Sequence, residues 1–150
     1  MLQQNFFESG RLSSSDDYFE RYFDELARRL RDASPELLED LCQTLVSAQE
    51  RGRKIIIAGN GGSAAIASHV AVDLTKTLGI RAINFNEADL ITCFANDYGY
   101  EHWIAKAIEF YGEAGDTVVL ISSSGRSKNV VIAAKRARER GLQVVTLSGF

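Results

Sequence analysis

The stretch Lys54-Ile55-Ile56-Ile57-Ala58-Gly59-Asn60-Gly61-Gly62-Ser63 decides the fold. Its first half is a short β-branched, apolar run with no polar alternation, the pattern of a strand buried on both faces. The glycines break that strand. Ser63 then opens a segment rich in Ala and Val that keeps helical spacing to Leu78 and stops at Gly79. The same grammar returns downstream. Thr117-Val118-Val119-Leu120-Ile121 reads as a second buried strand, Ser122-Ser123-Ser124-Gly125 as its loop, and Arg126 to Arg140 as a helix ending at Gly141. Arg81 to Asn84 is a weaker strand and Gln143 to Leu147 a final one. Strands alternating with helices predict an α/β fold: a three-layer sandwich with a parallel sheet, of the Rossmann-like or flavodoxin-like kind.

Upstream, Asp16-Asp17 opens a helical stretch with Phe19, Tyr22, Phe23, Leu26 and Leu30 at spacings of three and four. Ser13-Ser14-Ser15 before it reads as a cap or loop. Ser34-Pro35-Glu36 is a helix start, a capping hydroxyl followed by Pro at the first helical position. Leu37, Leu38, Leu41, Leu45 and Val46 give that second helix an apolar face, and Gly52 ends it. Residues 1–53 are therefore expected to form a helical hairpin whose faces need covering by assembly. Residues 54–150 are expected to form the α/β domain. Ala88 to Phe94 and Tyr100 to Phe110 read as two more helices, with Asn96-Asp97-Tyr98-Gly99 as the turn between them.

Composition narrows the function. The chain has 150 residues and a formal net charge of −3, with 45% apolar and 25% charged residues. These proportions disfavour disorder or a fibrous rod. The slight acidity gives no electrostatic case for nucleic acid. No apolar run has the length of a membrane span or of a secretory leader's core. Cys42 and Cys93 are too few for a disulfide scaffold, so a reduced cytoplasmic protein is expected, with both cysteines buried as small hydrophobes.

The two strand–loop–helix turns carry the chemistry. In open parallel sheets ligands sit at the carboxyl ends of strands, where helix N-termini offer amides to anions. The first loop supplies Asn60, Gly61, Gly62 and Ser63. The second supplies Ser122, Ser123, Ser124 and Ser127 with Arg126 and Lys128 close by. Capping alone explains one such loop, whereas two favour an anionic ligand. Gly59-x-Gly61-x-x-Ala64 fits a loose dinucleotide fingerprint, but Glu87 falls some 28 positions after Gly59, where about 20 is usual. No Lys follows the glycines as in a nucleoside-triphosphate loop. A phosphorylated sugar uses the serines better, and no nucleotide cofactor is expected. His69 and Asp73 are four apart on one helix face, a spacing that suits part of a Zn²⁺ site or a plain surface pair. His102 reads as a packing residue, because Tyr100 and Trp103 beside it look like core. Lys135, Arg136, Arg138 and Arg140 read as a solvated helix end that suits the helix dipole.

Gly59-Asn60-Gly61-Gly62-Ser63-Ala64, His69, Asp73, Ala95-Asn96-Asp97-Tyr98-Gly99-Tyr100 and Ser122-Ser123-Ser124-Gly125-Arg126-Ser127-x-Asn129 together resemble the SIS (sugar isomerase) domain family, and within it the phosphoheptose isomerases. The resemblance runs over nearly the whole chain. It implies interconversion of sedoheptulose 7-phosphate and D-glycero-D-manno-heptose 7-phosphate through an enediolate, serving heptose supply for surface polysaccharide. It further implies that Ser122, Ser123, Ser124 and Ser127 hold the phosphate, and that Asn60, Ser63 and Asp97 lie near the reacting end. By the same resemblance Asp73 is the catalytic base, His69 a metal ligand beside it, zinc a candidate cofactor, and the assembly a homotetramer with sites between subunits. Two departures bear on activity. The family carries Glu where this chain has Asp73, and its members continue through a further strand and helix with a Gln and a His. An incomplete C-terminus is thus expected, and the alternative is a SIS protein that binds a sugar phosphate, or serves as a scaffold, without turnover.

Overall fold

The computed structural model describes residues 15–149, so Ser13, Ser14 and Phe150 lie outside the described residues. Two compact units divide between Asp40 and Leu41. The first holds helix α1 (Ser15–Arg31) and the start of α2 (Pro35–Glu50). α2 begins as its sequence dictates, with the Leu37 amide donating to Ser34 Oγ at 3.2 Å. Along α1, Phe19, Tyr22, Phe23, Leu26 and Leu30 form one exposed apolar face. The Phe19 and Phe23 rings stack 6.4 Å apart along it. Off that face Glu25 accepts hydrogen bonds from Arg28 and Arg29, which pull its carboxyl down to about 2.

The second unit is built on a four-stranded parallel sheet in the order β2-β1-β3-β4. The strands are β1 (Ile55–Gly59), β2 (Ala82–Asn84), β3 (Thr117–Ile121) and β4 (Gln143–Leu147). β1 is buried along its whole length. In register, Ile55 lies beside Thr117 and Gly59 beside Ile121. The remaining helices are α3 (Gly62–Leu78), α4 (Ala88–Tyr98), α5 (Trp103–Tyr111) and α6 (Lys128–Glu139).

The pleat sends successive β1 side chains to opposite layers. Ile55 and Ile57 join Val119 and pack against Ala67, Ala71 and Leu74 of α3 and Ala48 of α2. Ile56 and Ala58 join Val118 and Leu120 and pack against Trp103, Ile104 and Ile108 of α5 and Ala133 and Ala137 of α6. The result is the expected α/β three-layer sandwich. No helix among the described residues is long and apolar enough to cross a membrane.

Several local expectations are corrected. Asn96, Asp97 and Tyr98 form the last turn of α4 rather than a loop, and Gly99 ends it with φ +84°. α5 starts at Trp103, not Tyr100. Trp103 is buried, but Tyr100 and His102 are exposed. Cys42 and Cys93 are exposed as well. Cys93 lies off the line of Leu90, Ile91 and Phe94 that packs on the core. Cys42 sits three residues before Leu45, which packs on the other layer.

Two features hold the sheet's ends. At the amino end, Asp116 is 1% exposed. Its carboxylate accepts the Lys54 amide at 3.0 Å and the Glu113 amide at 2.8 Å, and lies 2.6 Å from Lys54 Nζ. Burial opposes ionisation there, but the Lys54 ammonium and the two amides outweigh it and hold the carboxyl below its ordinary 3.8. At the carboxyl end, a Cβ on Gly59 would stand 2.6 Å from Ser63 Cβ and 2.9 Å from the Ile121 carbonyl oxygen. No side chain fits where β1, β3 and α3 meet.

Two stability predictions follow from these contacts. Gly59→Ala should lower unfolding free energy by about 3 kcal/mol in urea denaturation, the scale of a severe overpacking error. Asp116→Asn should cost about 3 kcal/mol at neutral pH, because Lys54 loses its buried counter-charge. The native Asp116 pKa lies below the unfolded one, so its contribution is full above about pH 4 and lost as pH falls through the native value. The parent should therefore lose stability in that acid window, and Asp116→Asn should show a flatter acid limb.

Candidate functional site

The strand order creates the site. From β1 the chain crosses to β2 on one side, and from β3 it crosses to β4 on the other. The crossovers diverge between β1 and β3, which opens a crevice at their carboxyl ends, the switch point where such sheets bind ligands. Both loops singled out by the sequence lie there, because Gly59 and Ile121 are register partners.

In the first loop Gly61 adopts φ +55°, ψ −120°, a conformation open to glycine. The turn closes through Ser63 N to Asn60 O at 3.0 Å and Ala64 N to Gly61 O at 3.0 Å. In the second loop the Gly125 amide donates to Ser122 O at 3.0 Å, and the Arg126 amide to Ser124 Oγ at 3.2 Å. Ser122 is buried and its hydroxyl donates to Ser127 Oγ at 3.2 Å. Ser127 occupies the N-cap position of α6 yet makes no side-chain capping bond. The Ser127 hydroxyl therefore does not cap α6, whereas the Ser124 hydroxyl holds the Arg126 amide inside the loop. Ser127 and Lys128, at the N-terminal end of α6, line the cleft, where the helix's partial positive charge suits an anion.

Between the loops lies an open cleft of about 630 Å³ lined by Asn60, Gly99, Tyr100, Glu101, Ser127, Lys128 and Asn129. Asn60 and Asn129 exchange two hydrogen bonds across it, Asn60 Nδ2 to Asn129 Oδ1 at 2.9 Å and Asn129 Nδ2 to Asn60 Oδ1 at 2.8 Å. Tyr100 Oη donates to Asn60 Oδ1 at 3.2 Å. The aromatic pattern beside Trp103 marks Tyr100 as core, and the structure places it at the cleft instead. Partners 40 and 69 residues apart leave no trace in local spacing.

The other candidates lie apart from this cleft. His69 Nε2 stands 3.4 Å from Asp73 Oδ2 on α3, and their side chains are 81% and 60% exposed. Asp73 is ten residues beyond Ser63, about 15 Å further along the helix. Ile66 and Val70 share their exposed face. Asp97 accepts a hydrogen bond from Asn96 Nδ2 at 2.9 Å. It lines a separate hollow of about 310 Å³ with Cys93, Phe94, Tyr98, Phe110 and Tyr111. For zinc, the described residues hold no group of three or more His, Cys, Asp or Glu able to take a metal. His69 and Asp73 make two of the three protein ligands that even an open catalytic zinc site needs. By themselves they do not fit the ion.

Known proteins resemble this chain in sequence and fold. A phosphoheptose isomerase of Proteus mirabilis (strain HI4320) is 37% identical over 132 residues, covering 84% of this chain and 69% of the relative. That of Fusobacterium nucleatum is 39% identical over 116 residues, covering 74% of this chain and 60% of the relative. The solved structure of phosphoheptose isomerase GmhA from Neisseria gonorrhoeae superposes with a TM-score of 0.81 at 34% identity, over 90% of this chain and 76% of that one. The chain thus matches from 60% to 76% of the length of these relatives. The SIS domain matches residues 18–149. With the parallel sheet, the switch-point crevice and the two loops in place, this chain belongs to the SIS domain family.

Proposed function

We propose that the protein is a sugar-phosphate isomerase of the phosphoheptose isomerase type, interconverting sedoheptulose 7-phosphate and D-glycero-D-manno-heptose 7-phosphate. The observation that carries this is the serine loop at the switch point, which runs directly into the N-terminus of α6 with no side-chain capping bond from Ser127. The relatives named phosphoheptose isomerase support the substrate.

In this reading Ser122, Ser123, Ser124 and Ser127 bind the phosphate, while Asn60 and Ser63 meet the sugar near its reacting end. The reaction moves one proton between adjacent carbons. A base takes it from the carbon beside the carbonyl, and the electron pair left behind forms an enediolate. A proton is then delivered to the former carbonyl carbon, and the hydroxyl proton passes from its oxygen to the former carbonyl oxygen, so that no atom is gained or lost. Asp73 is the proposed base. Asp73 of one copy would serve the cradle of another, because about 15 Å of helix separates it from the loop in its own chain. Ile66 and Val70 flanking His69 and Asp73 on an open face support that assembly, as does the apolar face of α1. A cytoplasmic homo-oligomer, a tetramer by resemblance, is therefore part of the proposal. Zinc remains a proposal that needs ligands beyond His69 and Asp73, and the proton transfer described is assigned to protein groups alone.

A second reading is favoured by Asp73 itself. Its side chain is one methylene shorter than the family's Glu, and a misplacement of about 1 Å can cost about a hundredfold in rate. A sugar-phosphate-binding protein without turnover would retain the cradle and tolerate that loss.

One assay separates the two. The full protein is mixed with sedoheptulose 7-phosphate and aldose formation is followed by NMR. Conversion is expected, abolished by Asp73→Asn and raised about tenfold in kcat by Asp73→Glu. Ser124→Ala should raise KM about tenfold, the worth of one hydrogen bond to a charged group. Saturable binding with no conversion by either the parent or Asp73→Glu would establish the second reading and end the first.

A further inference from the structure

Asn129 is 3% exposed, which is unusual for an amide side chain, and every polar contact given to it points toward the cleft or the first turn of α6. Its orientation is fixed by a group that cannot be reversed. The Val130 backbone amide donates to the near side-chain atom of Asn129 at 3.0 Å. A backbone N–H only donates, so that atom is the oxygen. The same oxygen faces Asn60 at 2.9 Å, so the Asn60 atom there is the nitrogen. Asn60 Oδ1 then faces Asn129 Nδ2 at 2.8 Å and receives Tyr100 Oη at 3.2 Å. A carbonyl oxygen has two lone pairs, and both are taken. One of the two Asn60 N–H groups is also taken. A single N–H is left, on a residue that lines the cleft.

We propose that Asn129, together with Tyr100, is the positioning residue of this site: it locks the Asn60 amide in one orientation, so that Asn60 meets its ligand as a one-proton hydrogen-bond donor and never as an acceptor. The complementary ligand atom is an oxygen without a proton to give, such as a carbonyl or an enediolate oxygen. Tyr100 donates its only proton to Asn60 and keeps its lone pairs for a ligand hydroxyl. The cleft therefore presents a fixed donor beside a fixed acceptor, matching the carbonyl and adjacent hydroxyl of a sugar's reacting end. Such a donor is worth most where charge develops on the oxygen, so its alignment should appear in kcat more than in KM. This assignment of Asn129 and Tyr100 rests on the isomerase reading for its substrate, but not for its geometry.

The test combines a spectroscopic arm with a kinetic one, both on the full protein. The Asn60 side-chain amide signals, assigned by their loss in Asn60→Ala, should show two unequal protons in the parent, one slow to exchange with solvent. Tyr100→Phe, at a position 59% exposed and therefore safe for folding, should bring the two exchange rates closer together. Asn129→Ala should equalise them. Equal exchange in the parent would overturn the proposal whatever the protein's activity. In the kinetic arm, Asn129→Ala should lower kcat about thirtyfold and Tyr100→Phe about fivefold, each with less than a threefold change in KM. In an Asn60→Ala background Asn129→Ala should have less than a twofold further effect, because it acts through Asn60. Full multiplicative losses in that background would assign Asn129 a merely structural role and sink the proposal. A parent that leaves sedoheptulose 7-phosphate unchanged refutes the isomerase reading, and the exchange arm then decides this one alone.

Discussion

The architecture depends on an absence, the missing side chain at Gly59. Where β1 ends, the backbone of β3 and the first turn of α3 approach so closely that one added carbon would collide with Ser63 and Ile121. That contact brings the start of α3 against the sheet beside the end of β3. It therefore sets the distance between the glycine loop and the serine loop. The crevice between the diverging crossovers would exist in any sheet of this order. Its walls meet as they do because β1 finishes in glycine.

The clamp at the opposite end answers a related problem. β1 and β3 run side by side, both buried, with no polar alternation to pin their register. A slip would exchange the layers that Ile56 and Ile57 face. Asp116 removes that freedom by binding the Lys54 amide and ammonium together, directly before the first paired residues. A buried carboxylate is an expensive device for the purpose. It is directional, however, and aliphatic packing is not.

Legibility in the sequence followed from how local each signal was. Buried parallel strands are contiguous apolar runs, so β1 and β3 could be read directly, and the alternation of elements gave the three layers. The failures lie where a local rule lost to a neighbouring contact. Asn96-Asp97-Tyr98-Gly99 has turn chemistry, but Gly99 alone ends the helix, so the polar residues remain in its last turn. Tyr100 looked like core because it is aromatic and near Trp103. It stands instead outside α5 and reaches Asn60. The two loops were visible as motifs, whereas the hydrogen bonds joining Asn60, Tyr100 and Asn129 span three separate elements.

The candidate residues thereby divide into two groups of different physical character. The cleft group is pre-ordered, with amide orientations fixed from the Val130 amide outward and a serine pair held by Ser122. The α3 group is open, with His69 and Asp73 facing solvent among apolar neighbours. Covering that face would change both partners at once. Ile66 and Val70 would leave water, and the carboxylate between them would lose hydration. The apolar residues and the carboxylate share one helix face, so any contact that covers the first also dehydrates the second.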